Sequence, residues 1–292
     1  MILDKIVQRT RERVNAQKQI IPLEEIKPLA LALASHPNTP ERIATSTLQY
    51  TATTDAECIA ACSTLSTFPF ERALKSLCMS FICEVKKASP SKGIITHRFP
   101  YLDIAREYEK AGANAISVLT EPDFFLGSDI YLSEIKQQVA IPVLRKDFII
   151  DEYQIYQSKL IGADAILLIC SLLDTCTLSR YIELADGLGL SCLVEAHNQE
   201  EIESALAAKA RIIGVNNRNL QTFEVDINTS ISLRKYVPDS IIFVSESGIS
   251  TIEDIRKLCD INASAVLIGE AFMRSNNISQ CLSELRGALA RA

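Results

Sequence analysis

Charged and polar side chains follow several short apolar runs of this chain directly. Glu84 and Lys86 close the first run, FICEVKK, and a β-strand would point residues two apart to the same side. Buried opposite charges need a function, because an ion is costly to bury unless it is paired. Later runs end similarly, with Lys146 in VLRKDF, Glu195 in LVEAH, Asn216 and Arg218 in VNNRNL, and Glu246 and Ser247 in VSESG.

These residue types suit proton transfer. Each of them alone could be a solvated charge at a rim, but lysines and carboxylates that share a narrow opening shift each other's pKa towards the range that general acids and bases need. A Schiff base at Lys86 or Lys146 is an alternative, since lysines in sugar-phosphate aldolases act in this way. The number of carboxylates favours acid catalysis.

Two glycines indicate an anion site. Gly248 in SESGIS and Gly269 in LIGEAF follow the last two runs, where backbone N–H groups can approach a ligand closely. Either glycine alone could mark an ordinary turn. Together they favour phosphate, with Lys86 or Arg218 adding positive charge.

Other residue types point away from metals. His36, His97 and His197 are too dispersed for a catalytic triad or a metal cluster, so we expect them to be surface or structural residues. The nine cysteines show no paired CxxC spacing, which predicts reduced, mostly buried thiols and no zinc. Cys58 and Cys62 are expected to face a helix interior.

Composition narrows the class of protein further. The chain has 292 residues, 48% of them hydrophobic, and a net charge of −6, so it lacks the positive field that nucleic-acid binding needs. It shows neither a secretory signal nor the run of roughly 20 apolar residues that a membrane span needs. We expect a cytoplasmic protein, a monomer or a weak homodimer, that binds neither membranes nor nucleic acid.

The apolar runs themselves predict a parallel sheet. They recur at intervals of about 21 to 35 residues and are hydrophobic throughout, as in strands that are covered on both faces. A segment with helical periodicity follows each one. The eight runs are 81–85, 115–119, 142–144, 165–169, 191–194, 211–215, 241–244 and 265–268, and the helices are 101–111, 129–138, 152–161, 175–188, 199–208, 228–236, 251–259 and 278–289.

Eight alternating pairs predict an α/β fold, a (β/α)₈ TIM barrel. An open doubly wound sheet would alternate in the same way, but no GxGxxG follows the first run. Glycine precedes the strands in the similar stretches AGANAISVL at 111 and IGADAILLI at 161, as a helix stop should. We expect residues 80–292 to form the barrel and residues 1–79 a helical extension packed on it, together one structural domain. The segment from about 35 to 66 gives no clear pattern.

The motifs resemble those of the indole-3-glycerol phosphate synthase family of tryptophan biosynthesis, in the same order and over about residues 80 to 275. KKASPSKG and RKDFIIDEYQIY are the most specific of them. The matching stretches are EVKKASPSKG at 84, AISVLTEPDFFLGS at 115, PVLRKDFIIDEYQIY at 142, ADAILLI at 163, LVEAH at 193, IIGVNNRNL at 212, VSESGI at 244 and LIGEAFMR at 267.

The resemblance implies ring closure of 1-(2-carboxyphenylamino)-1-deoxyribulose 5-phosphate to indole-3-glycerol phosphate, with loss of carbon dioxide and water and without cofactor or metal. Lys146 would be the general acid and Glu195 would handle protons in the dehydration. Lys86 would bind the phosphate and would also contact the other catalytic residues. Glu84 and Asn216 would orient these groups, and Glu246 with Ser247 would complete the opening.

The resemblance also implies substrate contacts. It places the anthranilate carboxylate near Ser89, and the phosphate on the backbone of Gly248, Gly269 and Glu270. The aromatic ring would lie against Phe125, Phe148, Leu167 and Ile169. The loop SPSKG would close over the substrate and the N-terminal helix would act as a lid. The chain departs from the family at Leu126, where a polar residue is expected, and in a longer segment before the first strand.

Two other classes of protein remain as alternatives. Another sugar-phosphate barrel enzyme, a Schiff-base aldolase or a phosphoribosylanthranilate-type isomerase, would explain the phosphate loops equally well. A barrel that only binds or scaffolds would have no need of Lys146.

Overall fold

The computed structural model describes residues 2–35, 68–76, 78–219, 222–275 and 277–287. His36, Cys58, Cys62 and most of the segment from about 35 to 66 lie outside these ranges, so the expectations for them stay predictions. The domain boundary that we expect after residue 79 also stays a prediction.

Eight parallel strands close into a barrel, as predicted. Each strand pairs with the next along the chain, and the first pairs with the last through Ser80–Ala265 and three further positions. The strands are β1 (Ser80–Val85), β2 (Ala115–Leu119), β3 (Val143–Lys146), β4 (Ala165–Ile169), β5 (Ser191–Ala196), β6 (Ile212–Asn216), β7 (Ile242–Glu246) and β8 (Ala265–Ile268). The chain therefore has the (β/α)₈ TIM-barrel fold.

Helices precede the barrel and alternate with its strands. They are α1 (Ile2–Ile20), α2 (Leu23–Ser35), α3 (Pro69–Leu74), α4 (Tyr101–Lys110), α5 (Asp129–Lys136), α6 (Glu152–Leu160), α7 (Thr175–Gly187), α8 (Gln199–Ala207), α9 (Asn228–Leu233), α10 (Ile252–Asp260), α11 (Glu270–Arg274) and α12 (Ile278–Gly287). A small hairpin of Ala88–Ser89 and Gly93–Ile94 follows β1 within the SPSKG loop.

Local chemistry explains where these helices begin and end. The side chains of Ser128, Asp151 and Asn198 accept hydrogen bonds from backbone N–H groups in the first turns of α5, α6 and α8. Gly112 and Gly162 follow α4 and α6 with φ of +91° and +87°, the left-handed conformation predicted for them.

Several predicted boundaries were wrong. β3 does not begin at Pro142 and runs on to Lys146, while β5 and β7 end later than their apolar runs, at Ala196 and Glu246. Backbone hydrogen bonds to the neighbouring strands continue beyond the last apolar residue, and they decide where a strand ends. The helix predicted over 228–236 ends at Leu233 and continues as a 3₁₀ turn.

The barrel interior is apolar below the site. Helix α3 closes the amino-terminal end, with Phe70 and Leu74 almost fully buried inside the barrel. Above them the strands contribute small and branched side chains, among them Ile82, Leu144 and Leu193. This packing fixes the strand ends at the opposite rim.

The N-terminal helices pack on one side of the barrel. Both α1 and α2 contact α6, and Lys18 of α1 pairs with Asp151 at 2.7 Å. Arg13 of α1 reaches Asp147 at 3.2 Å, directly after β3. None of the described helices combines the length and the apolar character needed to cross a membrane.

Candidate active site

A cavity of about 760 Å³ opens at the carboxyl ends of the strands. All sixteen predicted site residues line it, so the structure brings them together, while their roles stay predictions. They are Glu84, Lys86, Ser89, Phe125, Lys146, Phe148, Leu167, Ile169, Glu195, Asn216, Arg218, Glu246, Ser247, Gly248, Gly269 and Glu270.

Lys146 lies between two buried carboxylates. Its Nζ donates to Glu246 Oε2 at 3.1 Å and to Glu195 Oε2 at 3.3 Å. The Lys146 side chain is 14% exposed, and the two carboxylates are 1% and 3% exposed. Three alternate strands of the barrel, β3, β5 and β7, place these groups where little water can screen them.

Burial and neighbouring charges set the protonation of this group. Burial by itself would lower the pKa of Lys146, but Glu246, Glu195 and Glu84 raise it above its usual value, so the ammonium form is favoured. Burial would raise the pKa of Glu195, but Lys146 and His197 hold it below its usual range. Burial raises the pKa of Glu246 to about 7 against the attraction of Lys146.

Glu84 and Lys86 form a second pair on β1 and just after it. Lys86 Nζ donates to Glu84 Oε1 at 2.6 Å. Burial would raise the pKa of Glu84, and the charges of Lys86 and Lys146 lower it below its usual value. Glu84 is therefore ionised and ties the two lysines into one electrostatic cluster.

Two glycines leave room for these carboxylates. A Cβ at Gly214 of β6 would lie 2.1 Å from Glu246 Oε1, and a Cβ at Gly269 would lie 2.5 Å from Glu84 Oε1. A larger residue at either position would therefore clash with the carboxylate unless that side chain moved. The small residues thus shape the cavity around its charged groups.

The loops after β7 and β8 form one end of the cavity. Ser247 and Gly248 have φ of +69° and +76°, and a Cβ at Gly248 would lie 2.2 Å from Val225 Cγ1. Gly269 precedes α11 and Glu270 opens it. Arg218 and Lys92 approach Glu270 at 3.9 Å each, so cationic side chains also face this end.

The other end of the cavity is apolar. The rings of Phe125 and Phe148 lie 6.0 Å apart at an interplanar angle of 40°. Leu167 and Ile169 of β4 are 3% exposed and line the same wall. These side chains give the cavity an apolar wall, in contrast to the loops that carry Gly248 and Gly269.

A family model described as indole-3-glycerol phosphate synthase matches residues 41–285. The chain belongs to this family. A synthase from Ruminiclostridium cellulolyticum is 55% identical over 99% of this chain and 100% of its own. One from Endomicrobium trichonymphae is 64% identical over 74% of this chain and 84% of its own.

Solved structures agree on the fold alone. The 3-hexulose-6-phosphate synthase from Salmonella typhimurium matches 73% of this synthase-family chain and 99% of its own, with a TM-score of 0.61 and 16% identity. The segment before the first strand is longer than the family pattern predicts. The Ruminiclostridium relative shares this segment, because its alignment covers 99% of this chain.

Sequence reasoning missed several features of the synthase-family site. The short helix α11 was not predicted. Helix α1 lines the cavity through Ile2, Leu3 and Ile6, and its expected role as a lid stays a prediction. Glu121, fully buried, accepts the backbone N–H groups of residues 123–125 and shapes the loop that carries Phe125. Leu126 adopts φ of +52° in that loop. The acidic residue after β2 in LTEPDFF was the available signal for this loop.

No group of three or more histidine, cysteine or acidic side chains within the described ranges is placed to hold a metal ion. The Lys146 ammonium is paired with Glu195 and Glu246, while Glu246 Oε1 is buried without a hydrogen-bond partner among the described residues. The site therefore offers an ammonium, carboxylates of differing pKa, two glycine-containing loops with cationic side chains nearby, and an apolar wall.

Proposed function

We propose that this chain closes the indole ring of 1-(2-carboxyphenylamino)-1-deoxyribulose 5-phosphate, producing indole-3-glycerol phosphate, carbon dioxide and water. The observation that carries the proposal is the Lys146 ammonium, which Glu195 and Glu246 hold in a cavity lined by the loops of Gly248 and Gly269 and by the rings of Phe125 and Phe148. A substrate with a phosphate at one end and an aromatic ring at the other spans this cavity. Few reactions need an ammonium, a phosphate site and an aromatic site in one cavity.

The first step forms a carbon–carbon bond. The aromatic carbon that bears the carboxylate attacks the ribulose carbonyl carbon, and Lys146 protonates the carbonyl oxygen as negative charge develops there. The carboxylate then leaves as carbon dioxide, and its bonding electrons restore the aromatic ring. An ammonium fixed in a site that excludes water stabilises the charge of the transition state more than the neutral ground state.

The second step removes water. The new hydroxyl leaves as water with a proton supplied by the site, and the neighbouring ring methylene loses a proton, so that the electrons of its C–H bond form the indole double bond. Glu195 handles the proton in this step, because its ionised carboxylate lies in the cavity next to Lys146. Glu84, Lys86 and Asn216 orient these groups.

Substrate contacts follow from the same placement. The phosphate binds the backbone N–H groups of Gly248, Gly269 and Glu270, with positive charge from Lys86 and Arg218. Ser89 receives the anthranilate carboxylate, and Phe125 and Phe148 flank the ring. Ser247 and Glu246 complete the wall. The seven described cysteines are all unpaired, which supports a place in the reducing cytoplasm.

The direct test is turnover by the purified protein. With the carboxyphenylamino substrate, we expect indole fluorescence to rise together with one equivalent of carbon dioxide. Well-folded protein that yields no indole product contradicts the proposal. An isomerase would convert a sugar phosphate without releasing carbon dioxide, so the gas separates the two reactions.

A trapping experiment separates the aldolase alternative. Borohydride with a ketose phosphate reduces a Schiff base to a stable amine, which would label Lys86 or Lys146 in an aldolase. We expect no covalent label by mass spectrometry. A label on either lysine would favour aldolase chemistry.

A further inference from the structure

His197 lies beside the proposed proton-handling carboxylate. It follows β5 directly, and its Nε2 lies 3.4 Å from Glu195 Oε1. The other oxygen of Glu195, Oε2, accepts from Lys146 at 3.3 Å. Each oxygen of this carboxylate therefore faces a different nitrogen base. The imidazole is 16% exposed and does not line the cavity.

Glu201 fixes the other side of the imidazole. Its Oε2 lies 3.0 Å from Nδ1 of His197 and accepts the His197 backbone N–H at 2.8 Å. Glu201 itself is fixed in the first turn of α8, where its N–H donates to Asn198 Oδ1 at 2.9 Å. The ring can therefore neither turn nor withdraw without breaking these contacts.

This arrangement leaves one partner for Nε2. The atom is buried and has no hydrogen bond of good geometry among the described residues. The Glu195 oxygen at 3.4 Å is the acceptor in ion-pair range. A buried polar atom without a full hydrogen bond is costly, so its retention here points to a use in the site.

We propose that His197 is a positioning residue for Glu195: anchored by Glu201, its imidazole holds the Glu195 carboxylate ionised and oriented opposite Lys146 during the reaction. The inference rests on the proposed function and deepens it. His197 acts through Glu195 and does not touch the substrate.

The charges around the pair favour a cationic imidazole. Burial would lower the pKa of His197, but Glu195 and Glu201 raise it to about 10. His197 in turn lowers the pKa of Glu195, after Lys146. The other ionisable or polar groups that interact with Glu195 or Glu201 come from β1, β7, β6 and the turn after β4, and they are Glu84, Glu246, Asn216 and Cys170.

A positioning role and a purely structural role predict different pH profiles. Removing the imidazolium raises the pKa of Glu195, so the carboxylate takes up a proton at a higher pH. The acid limb of kcat then moves upward by about one pH unit. Loss of a structural contact alone would lower the amount of active protein or its Tm without moving the limb.

The test compares His197→Gln with wild-type protein and with His97→Gln, a change at an exposed histidine outside the cavity. The glutamine amide keeps a donor near Glu195 but carries no charge. We expect His197→Gln to lower kcat about tenfold at the acidic end, to move the acid limb upward and to leave KM within about twofold. His97→Gln should match the wild type throughout.

A second measurement uses folded wild-type protein and needs no active variant. The chain has three histidines, so imidazole resonances of labelled protein are readily assigned with the two variants. We expect the His197 ring to stay cationic beyond pH 8 and to titrate at lower pH in Glu201→Gln.

The outcomes separate the two claims. Wild-type protein that makes no product contradicts the proposed function. Active wild type with an unmoved acid limb in His197→Gln overturns the role of His197, and so does a His197 ring that is neutral at pH 7 in the wild type. A moved limb together with a cationic ring supports it.

Discussion

At the residue scale, Lys146 is the group on which the proposed chemistry depends. Its ammonium contacts two carboxylates, and Glu84 adds a third negative charge nearby. Lys146 and His197 lower the pKa of Glu195 against the effect of burial. Lys86 and Lys146 do the same for Glu84, whereas burial raises the pKa of Glu246. Carboxyl groups of unequal pKa in one cavity suit a reaction that moves protons twice.

Glu246 gives a prediction about stability and pH. Its pKa in the folded protein, about 7, lies above the ordinary value of 4.5. A raised carboxyl pKa stabilises the fold fully below the ordinary pKa, and this stabilisation is lost as the pH rises through the folded value. Glu246→Gln cannot ionise and avoids the loss. We expect its Tm relative to wild type to rise between about pH 5 and about pH 8.

The control for this measurement is Glu152→Gln, at an exposed carboxylate of α6. Its Tm difference from wild type should stay constant over the same pH interval. If the Tm difference between Glu246→Gln and wild type is also constant, the pKa of Glu246 in the folded protein is not raised, which contradicts the prediction.

Asn217 gives a second residue-scale prediction. Its buried amide donates to Ser247 O at 3.0 Å and to Ser245 Oγ at 3.0 Å, and its Oδ1 accepts from Ser230 Oγ at 2.8 Å. It thereby holds Ser247 in its left-handed conformation in the loop after β7, where we propose that the phosphate binds. Asn217→Asp replaces the donor with an acceptor that faces the Ser247 carbonyl.

We expect Asn217→Asp to raise KM about tenfold, the cost of roughly one hydrogen bond, and to change kcat less. The inhibition constant of inorganic phosphate should rise in parallel, as steady-state kinetics would measure. A fall in kcat with unchanged KM and phosphate inhibition would show that the loop does not depend on this amide.

The sequence was most informative for residues at strand ends. Lys146, Glu195 and Glu246 interrupt apolar runs, and parallel strands bring such interruptions to one rim. Asn217 was missed because strand alternation turns it away from its neighbour Asn216, out of the cavity. His197 was expected to be a surface or structural residue because the three histidines are dispersed, although it lies two residues beyond Glu195 and four before Glu201.

At the element scale, α3 closes the barrel opposite the site. Phe70 is fully buried inside the barrel, whereas Phe68 is half-buried and stacks on Arg211 with its ring centroid 4.6 Å from the guanidinium. We expect Phe70→Ala to reduce the free energy of unfolding by about 3–5 kcal/mol, because it opens a cavity in the core. Phe68→Ala should cost about 1 kcal/mol, the size of a cation–π contact.

Urea unfolding measures both losses, and kinetics on the folded fraction provide the comparison. Since the active cavity lies at the other end of the barrel, kcat should be unchanged in both variants. Equal losses for the two phenylalanines would contradict the placement of Phe70 in the core.

Elements were predicted better than their ends. The apolar runs located all eight strands, because strands that are buried on both faces have no alternating polar positions to interrupt the hydrophobic run. Charged residues at strand ends interrupted the pattern before the hydrogen bonding ended, as at Lys146 in β3. The helix α11 has five residues, too short for a helical period to show.

At the scale of the whole molecule, barrel closure turns separate strand ends into one site. Closure places β1 beside β8, so Glu84 meets the Gly269 backbone across 185 residues of chain. An open sheet with the same alternation would leave these two strands at distant edges. The count of eight pairs predicted closure, but the contact of Glu84 with Gly269 depends on register, which no local pattern encodes.

The N-terminal helices were predicted only in outline. Arg13 of α1 pairs with Asp147, and Asp147 follows Lys146 directly in the chain. The same helix lines the cavity, so its placement is coupled to the end of β3. A pairing across 134 residues could not be inferred from the charge pattern of α1 alone.

The most direct test of the whole account is the turnover of Lys146→Met with the carboxyphenylamino substrate, followed by indole fluorescence. Methionine is unbranched and keeps most of the length of the side chain, but it has no ammonium group that could donate a proton. Lys159→Met, a half-buried lysine of α6 outside the cavity, is the matched control. We predict that kcat falls at least about a hundredfold for Lys146→Met and is unchanged for Lys159→Met, with both proteins folded by circular dichroism. A folded Lys146→Met protein that turns over within about threefold of wild type would contradict the account.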